Sequence, residues 1–368
     1  MSIINKITLA RLEIPLIRPF ITSLRRVEKV EEIVVLFHSD SNLIGFGSAP
    51  ATVAITGDSL DSIYGAIKEV IAPKLLGRNI YEHAKNLEII QNALIGNVSA
   101  KCACEIGLYD LYARAMNQPL YRVLGGNQTQ IVTDTMISLK QVDEMVIDAK
   151  LFISQGFTDL KLKLGKDIAT DIERISKIRE VVGSKIRLCI DANQGWSTKD
   201  ALNIIGLIEA NPKLNIEIIE QPINAHKLAD LKLIREKVKS MIVADESCFS
   251  LKDANKIISE SIADGINIKL IKSGGISQAQ AIYALSNIHK VPNMAGCMLE
   301  SPIGIAAMSA FVSGRDNFKW IDLDPITMIM HNPVKGGVTV DGAVITLSDQ
   351  PGLGISGVDN LQILMEIK

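Results

Sequence analysis

The chain has 368 residues, of which 47% are hydrophobic and 22% charged, a balance typical of a globular protein with room for two domains. Its 39 basic and 41 acidic side chains give a formal net charge of −2, which argues against nucleic acid or an anionic membrane as the main partner. The first residues lack a signal-peptide pattern, and no run of about 18 apolar residues predicts a membrane span. We therefore expect a soluble globular protein.

The cysteines indicate a reducing environment. All five lie scattered in apolar stretches, and their number is odd. Cys102 and Cys104 are close enough to suggest zinc, but no second Cys or His pair accompanies them, so a structural role is favoured. Reduced core thiols are typical of the cytoplasm, which is the expected location.

Residues 1–127 have the pattern of an α+β domain. Three apolar, alternating segments, ITLARLEIPL, VEEIVVLFHS and LIGFGSA, predict a small antiparallel sheet. Helical patterns follow at about 58–75, 81–95 and 99–117. The turn-rich tail after residue 335 is expected to return and pack on this domain.

From residue 133 onward, strand and helix patterns alternate eight times. The predicted strands cover residues 133–139, 158–165, 186–193, 216–222, 241–247, 265–275, 292–301 and 319–325. Eight such units in series favour a parallel barrel with its active face at the carboxyl ends of the strands. An open doubly wound sheet is the alternative, but its glycine-rich fingerprint is missing, since LGGN at 124–127 precedes the repeats.

Charged residues recur at the ends of these predicted strands. Lys163, Asp191, Glu220, Asp245 and Lys269 follow one another at intervals of 28, 29, 25 and 24 residues. Each therefore takes the equivalent place in its own repeat, and equivalent places converge on one mouth of a barrel. This mouth is the expected active site.

The three acidic members of the series predict a metal site. Adjacent parallel strands lie about 4.8 Å apart, so Asp191, Glu220 and Asp245 would repel one another without a positive charge between them. Carboxylate oxygens with places left for water and substrate suit one Mg²⁺ ion per subunit, with Mn²⁺ as a substitute. The competing interpretation is unrelated surface charges.

The two lysines predict a reaction. Lys163 and Lys269 end strands that are four apart in an eight-strand ring, so they should face each other across the mouth. Two bases on opposite sides of a carbon can remove a proton from one face and return one to the other, which inverts that carbon. A metal-bound carboxylate makes the proton acidic by stabilising the enolate. Nearby cations, including Lys161, are expected to lower the pKa of one lysine so that it is a free amine.

Asp322 and Asp324, in the segment WIDLDP, end the eighth predicted strand opposite the metal site. Their charge suits an ammonium group. A substrate with a carboxylate at the metal and an ammonium about two residues away is a dipeptide with a free amino terminus. A turn in which Asp is favoured for local hydrogen bonds is the alternative.

Over nearly its whole length the chain resembles the enolase superfamily, in its muconate-lactonising subgroup, and most closely the dipeptide epimerases. The matching segments are KLK at 161–163, DANQGW from Asp191, EQP from Glu220, ADES around Asp245, NIKLIKSGG around Lys269 and the Asp-x-Asp pair at 322–324. The resemblance implies a modified TIM (β/α)7β barrel at 128–334 and an α+β capping domain at 1–127, completed by 335–368.

The resemblance also implies roles for single residues. Lys163 and Lys269 are the implied acid and base, with Lys161 as a supporting neighbour. Asn193 is implied as a support of the metal site and Glu246 as a support of Lys269.

The cap loops at 20–27 and 51–59 are implied to cover the mouth and select the substrate. Arg25 aligns with the lid arginine that receives the second residue's carboxylate in glutamate-specific members, and a guanidinium fork fits a carboxylate. Met136, Ile137, Cys297, Met298 and Leu299 are predicted to make the pocket partly apolar. The expected reaction is epimerisation of L-Ala-X dipeptides, with L-Ala-D/L-Glu first, in murein-peptide turnover.

Other functions use parts of the same set. A lyase or cycloisomerase such as o-succinylbenzoate synthase shares the lysines and the metal but does not need Asp322 and Asp324, and an N-acylamino acid racemase is a further alternative. Sugar-acid dehydration is disfavoured because no histidine ends a predicted strand, and a binding barrel would tolerate loss of Lys163 or Lys269. The expected partners are a dipeptide and copies of the chain in a homo-oligomer, with no nucleic acid and no membrane.

Overall fold

The structure is a computed structural model that describes residues 2–165 and 167–368. It begins with an antiparallel sheet whose strands alternate buried and exposed side chains over much of their length, as the sequence pattern predicts. The first three strands are β1 (Ile4–Ile21), β2 (Arg26–Ser39) and β3 (Ile44–Pro50).

Helices pack on this sheet and complete the cap. They are α1 (Leu60–Gly65), a π-helix (Ala66–Ile71), α2 (Ala72–Leu75), α3 (His83–Gln91), α4 (Val98–Ala115) and α5 (Leu120–Val123). Gly45 and Gly47 let α4 lie close against β3, because a Cβ at Gly47 would stand 2.0 Å from the carbonyl oxygen of Ala103. The cap is therefore held together by backbone contact as well as by side chains.

The barrel follows a short strand, β4 (Gln130–Val132). Its strands are β5 (Thr135–Ile137), β6 (Asp159–Lys163), β7 (Arg187–Asp191), β8 (Ile216–Glu220), β9 (Met241–Ala244), β10 (Gly265–Ile268), β11 (Asn293–Ala295) and β12 (Phe318–Ile321). Its helices are α6 (Val142–Ser154), α7 (Ile168–Val182), α8 (Thr198–Ala210), a 3-10 helix (Pro212–Leu214), α9 (Leu228–Lys237), α10 (Leu251–Ser259), α11 (Leu270–Ser273), α12 (Ile276–Ile288), α13 (Pro302–Val312) and α14 (Pro325–Met328).

These eight strands form one parallel sheet in the order in which they occur in the chain. The backbone N–H of Asp134 donates to the carbonyl of Ile321 at 2.8 Å, which joins the first and last strands where the curled sheet closes. Sequential order excludes a doubly wound sheet, whose strand order reverses. The predicted modified barrel with an α+β cap is confirmed, while the exact domain boundaries stay a prediction.

The sixth and seventh strands are shorter than predicted. The segment 265–275 was expected to be one strand, but β10 ends at Ile268 and α11 follows directly. Gly274 and Gly275, with φ of +85° and +126°, provide the left-handed backbone that ends this helical turn. The seventh strand stops at Ala295, and Ser301 begins α13 as its N-cap.

The tail returns to the cap, as expected. Its strands are β13 (Val334–Gly336), β14 (Thr339–Asp341), β15 (Val344–Thr346), β16 (Ile355–Val358) and β17 (Gln362–Ile367). β17 pairs antiparallel with β1, and β15 pairs with β4. The first and last strands of the chain therefore share one sheet.

Two buried glutamates of the cap bind the barrel at helix N-termini. Glu32 accepts a hydrogen bond from the backbone N–H of Ser301 at 2.7 Å, and Glu105 accepts one from Ser277 at 2.8 Å. The positive end of a helix dipole favours a carboxylate at both places. Burial nevertheless raises the pKa of Glu105 to about 7. These contacts fix the cap over the barrel.

The cysteines agree with the sequence analysis. All five cysteines are free and buried, as predicted for core thiols. In the part of the chain that the structure describes, every helix is too short or too polar to cross a bilayer.

We expect Gly47→Ala to lower the free energy of unfolding by about 1–3 kcal/mol, because its Cβ would collide with the α4 backbone. Gly206→Ala is the matched control: it lies in α8 with open space around its Cβ, and should raise stability by up to about 1 kcal/mol. Urea unfolding of both variants measures the difference. Equal stability of the two would contradict the close packing of α4.

Candidate active site

The carboxyl ends of the barrel strands bring the predicted charged residues together. In the sheet register, Lys163 lies beside Asp191 and Asp191 beside Glu220, while Asp245 and Lys269 directly follow β9 and β10. Each of the five side chains is buried. The spacing of these residues in the sequence therefore predicted that they meet at one mouth of the barrel, because it follows the repeat of one strand and one helix.

Each of the two predicted catalytic lysines contacts a carboxylate. Lys163 Nζ lies 2.6 Å from Asp191 Oδ2, and Lys269 Nζ lies 2.7 Å from Asp245 Oδ2. Burial alone would lower the pKa of Lys269, but the charges of Asp245 and Glu220 outweigh it and raise the pKa. The nearest charged neighbours of Lys269 in this structure are acids, so a pKa lowered by a nearby cation stays a prediction for one of the two lysines.

Lys161 has no exposed surface, unlike Lys163 and Lys269, which are 5% and 6% exposed. Its Nζ lies 2.5 Å from Glu220 Oε2, 2.6 Å from Asp322 Oδ2 and 3.7 Å from Asp191 Oδ2. Burial opposes the charged form, yet these carboxylates raise the pKa of Lys161 well above its usual value. Lys161 thus links strands on opposite sides of the barrel.

Lys272 belongs to the same cluster and was missed by the sequence analysis. Its fully buried ammonium group donates to the carbonyl of Asn267 at 3.0 Å and to the carbonyl and carboxylate of Asp245. The extended strand predicted for 265–275 concealed it, because only the turn of α11 directs Lys272 back towards Asp245. The signal that could have found it is a helical spacing of three from Lys269.

The three acids suit a hard divalent cation, because they supply oxygen ligands and lie at the ends of neighbouring strands. Asp191, Glu220 and Asp245 supply only oxygen ligands, which Mg²⁺ prefers. Glu220 Oε2 is paired with the ammonium group of Lys161 at 2.5 Å, and the Nδ2 of Asn267 donates to Glu220 Oε1 at 2.6 Å. Within residues 2–165 and 167–368, however, no three potential ligands are already arranged around one point, since lysine ammonium groups lie against the carboxylates. A cation here would bind in competition with these lysines.

Asn193 and Glu246 lie next to the acids. Asn193 adopts a left-handed backbone with φ of 42°, and its N–H donates to Asp191 Oδ1 at 2.8 Å. Its side-chain amide faces Glu246 Oε1 at 3.5 Å, so Glu246 pairs with Asn193 rather than with Lys269. Burial, then the charges of Asp245 and Asp191, raise the pKa of Glu246 to about 8.

A small pocket separates this mouth from the cap. Its wall includes Phe20, Arg25, Lys163, Lys269, Met298 and Asp322. The enclosed volume is about 30 Å³, which is room for one or two water molecules. A larger substrate can therefore enter only when the wall moves.

The loop at 20–27 closes the pocket from the cap side. Ser23 Oγ lies 3.1 Å from the carbonyl of Ala192 and 2.9 Å from that of Asn193. Arg25 Cζ and Lys163 Nζ lie 6.0 and 5.9 Å from the centroid of the Phe20 ring. One cap loop thus touches both a predicted base and the turn that follows Asp191.

Arg25 lies in this wall without an ion-pair partner among the described residues, whereas the adjacent Arg26 pairs with Glu28 at 3.1 Å. Burial lowers the pKa of Arg25, since its guanidinium is partly removed from water. A partly buried guanidinium of this kind favours an anionic group of a ligand.

The two predicted ammonium ligands have different environments. Asp322 faces the pocket, and its Oδ1 has no hydrogen-bond partner among the described residues. Asp324 is fully buried outside the pocket wall, where its Oδ2 accepts from the N–H of Met136 at 2.7 Å and from Thr135 Oγ1 at 3.1 Å. Burial, then the charge of Asp322, raise the pKa of Asp324 to about 7.

Comparison with family models identifies both parts of the chain. Residues 6–125 match the N-terminal domain of the mandelate racemase / muconate lactonizing enzyme model, and residues 144–359 match the enolase C-terminal domain-like model. The resemblance to the enolase superfamily is confirmed.

Named relatives are similar along the whole chain. The L-Ala-D/L-Glu epimerase of Bacillus subtilis is 43% identical, covering 96% of this chain and 97% of its own length. That of Clostridium acetobutylicum is 40% identical, covering 97% and 100%. The crystal structure of the dipeptide epimerase of Enterococcus faecalis, complexed with Mg and L-Leu-L-Tyr, superimposes with a TM-score of 0.93 at 33% identity, covering 97% and 100%.

We expect Asp324→Asn to raise the free energy of unfolding above that of the parent. This difference should grow as the pH rises from about 4 to 7 and stay constant above pH 7. The unfolded aspartate ionises near pH 3.9, whereas burial keeps the folded carboxyl protonated up to about 7, so ionisation favours unfolding within this window. Urea unfolding at pH 5 and pH 8 measures the effect. Asp316→Asn, at an exposed position, controls for loss of one acid. An equal effect of Asp324→Asn at both pH values would contradict the assignment.

Proposed function

We propose that this chain, which belongs to the mandelate racemase / muconate lactonizing enzyme family of the enolase superfamily, is a dipeptide epimerase. It inverts the α-carbon of the second residue of L-Ala-X dipeptides. The observation that carries the proposal is one pocket whose wall contains Lys163, Lys269 and Asp322. The names of the epimerase relatives support the same reaction class.

The proposed chemistry is proton transfer between two lysines. One of Lys163 and Lys269, as the amine, takes the α-proton, and the other, as the ammonium, gives a proton to the opposite face. One C–H bond breaks and one forms, so the substrate keeps its composition while the two lysines exchange protonation states. The reverse reaction starts from that exchanged state.

A Mg²⁺ ion held by Asp191, Glu220 and Asp245 would offset the negative charge that develops on the substrate carboxylate when the proton leaves. The Enterococcus faecalis complex with Mg supports this choice of metal. We propose Mn²⁺ as a substitute, because it accepts the same oxygen ligands. Asn193 holds Asp191 in place for this role through its backbone N–H.

Substrate selection is proposed to depend on charge at both ends of the pocket. Asp322 offers an unpartnered carboxylate oxygen to the dipeptide's ammonium group, while Asp324 supports the strand end from behind. Arg25 offers a partly buried guanidinium to an acidic side chain, which makes glutamate the first choice for X. Met298 and Met136 add apolar wall, so other X residues are accepted with lower efficiency.

The biological setting is a proposal of the same kind. Free, buried cysteines are compatible with the cytoplasm as the site of action. Turnover of murein peptides is the setting that L-Ala-D/L-Glu implies. Assembly into a homo-oligomer stays a prediction.

The test of the reaction is proton NMR in ²H₂O with Mg²⁺ and a panel of L-Ala-L-X dipeptides. We expect the α-proton signal of the second residue to disappear while the other diastereomer forms. Lys163→Ala and Lys269→Ala should each lower inversion by at least about 10³-fold, since each removes one of the two bases. Lys252→Ala, on the exposed surface of α10, is the control.

Each lysine variant should also retain exchange of the α-proton from one diastereomer, because the remaining lysine still reaches its own face. Full turnover in either variant would exclude the two-base reaction. No exchange with any dipeptide in the parent protein would favour the lyase or cycloisomerase alternative.

We expect Arg25→Met to lower kcat/KM for L-Ala-L-Glu by about 10–100-fold, which corresponds to a loss of about 1.4–2.7 kcal/mol of charged hydrogen bonding. The value for L-Ala-L-Leu should change less than threefold. Arg26→Met is the matched control, because Arg26 is exposed and pairs with Glu28. Equal losses on both dipeptides would mean that Arg25 does not select the side chain.

A further inference from the structure

One short loop of the barrel forms a side of the active-site pocket. We call residues 296–300 the β11 loop, because they directly follow β11, and Ser301 then begins α13 as its N-cap. Three successive side chains of this loop line the pocket: Cys297, Met298 and Leu299. The path of the β11 loop backbone therefore sets the position of that side of the pocket.

The β11 loop runs from the proposed ammonium end of the pocket to the end that contains Arg25. At the first end, the thiol of Cys297 donates to the backbone carbonyl of Asp322 at 3.2 Å. At the other end, Leu299 and Arg25 line both the pocket and an outer groove between the two cap loops. A substrate side chain directed towards Arg25 would therefore pass along Met298 and Leu299.

A buried carboxyl group holds the middle of this loop from behind. Glu300 lies outside the pocket wall, and its Oε1 accepts a hydrogen bond from the backbone N–H of Met298 at 2.9 Å. Because the bond joins two residues of one turn, it fixes the direction of the backbone at Met298. The direction in which the Met298 side chain leaves the backbone is fixed with it.

The cap anchors the end of the same loop. Glu32 in β2 accepts a hydrogen bond from the backbone N–H of Ser301 at 2.7 Å, and the hydroxyl groups of Ser48 and Ser301 lie 3.3 Å apart. The β11 loop is therefore held by one carboxyl group of its own and by one from the cap.

A glycine makes the space for the carboxyl group of Glu300. A Cβ at Gly304, in the first turn of α13, would stand 1.8 Å from Glu300 Oε2. Burial, then the charge of Glu32, raises the pKa of Glu300 to about 8, so the group is protonated at neutral pH. Burial of a carboxyl group costs free energy unless it is hydrogen-bonded, and the N–H of Met298 supplies such a bond.

We propose that Glu300 is a positioning residue: through the N–H of Met298 it holds the β11 loop against the side chain of the substrate's second residue and so sets how tightly that side chain binds. Glu32 supports the same loop from the cap. The inference rests on the proposed epimerisation for the identity of the substrate. It extends that proposal to two residues that lie outside the pocket wall.

Glu300→Leu tests the positioning, because leucine fills the buried space but accepts no hydrogen bond. We expect KM for L-Ala-L-Glu and L-Ala-L-Leu to rise at least about fivefold while kcat changes less than about twofold, since wall contacts are equal in the ground and transition states. For L-Ala-L-Ala, whose methyl group is too short to follow the wall, kcat/KM should change less than about twofold. Glu173→Leu, on the exposed surface of α7, is the matched control and should behave like the parent.

Two further variants separate the hydrogen bond from the bulk of the side chain. Glu300→Gln should restore the parental KM values, because its amide oxygen accepts from Met298 and its amide group donates, as a protonated acid does. Gly304→Ala should act like Glu300→Leu, because its Cβ displaces the carboxyl group without removing it. It also carries the test if Glu300→Leu does not fold.

Equal losses on all three dipeptides would show a merely structural role of Glu300 and overturn the positioning. Parental KM values in Glu300→Leu would overturn it as well. So would a Glu300→Gln variant that is as impaired as Glu300→Leu.

Amide exchange in the substrate-free protein separates this proposal from the proposed function. In NMR spectra of protein labelled with ¹⁵N-methionine, the signal of Met298 is the one that Met298→Leu removes. We expect its amide to exchange in ²H₂O at least about tenfold faster in Glu300→Leu than in the parent and in Glu300→Gln. The amide of Met145, in α6, is the internal reference and should exchange equally in all three proteins.

A parent protein that shows this protection of Met298 but inverts no dipeptide would refute the epimerisation and leave the support of the loop intact. Equal exchange of the Met298 amide in the parent, Glu300→Leu and Glu300→Gln would overturn the positioning even in an active epimerase.

Discussion

The burial of opposite charges inside one barrel is the constraint on which the rest of the structure depends. Lys161 has no exposed surface and contacts acids from β7, β8 and the end of β12. Loss of one partner from a buried ion pair costs about 3–5 kcal/mol, so these contacts hold distant strands in one arrangement. The same arrangement forms the wall of the active-site pocket, which means that stability and chemistry use the same side chains.

Because stability and chemistry use the same side chains, lysines and acids lie in contact with one another at the mouth. Lys269 and Lys272 divide the two oxygens of Asp245, and Lys163 takes one oxygen of Asp191. A cation or a proton added at any of these points changes the electrostatic energy of all the others, because buried charges are weakly screened. The cap completes the effect by removing water, which strengthens every charge interaction in the pocket.

The mouth was predictable from the sequence because a repeat of one strand and one helix returns the chain to the same edge of the barrel. Lys163, Asp191 and Glu220 lie side by side for that reason. Lys272 was not found, since its ammonium group reaches Asp245 only through a helical turn hidden in an apolar segment. The local pattern does not encode that turn, because a short apolar run fits a strand as well as a helix.

The hydrogen bonds of Ser23 to the turn at 192–193 have a thermodynamic consequence. The single hydroxyl proton of Ser23 is shared between the two carbonyl oxygens, joins the cap loop to the residues that directly follow Asp191 and contributes about 1 kcal/mol. Closing of the loop and ordering of the turn are therefore linked equilibria, and linkage is reciprocal. Whatever ligand orders the turn also shifts the loop towards its closed position, and a substrate that holds the loop closed raises the affinity for that ligand by the same factor.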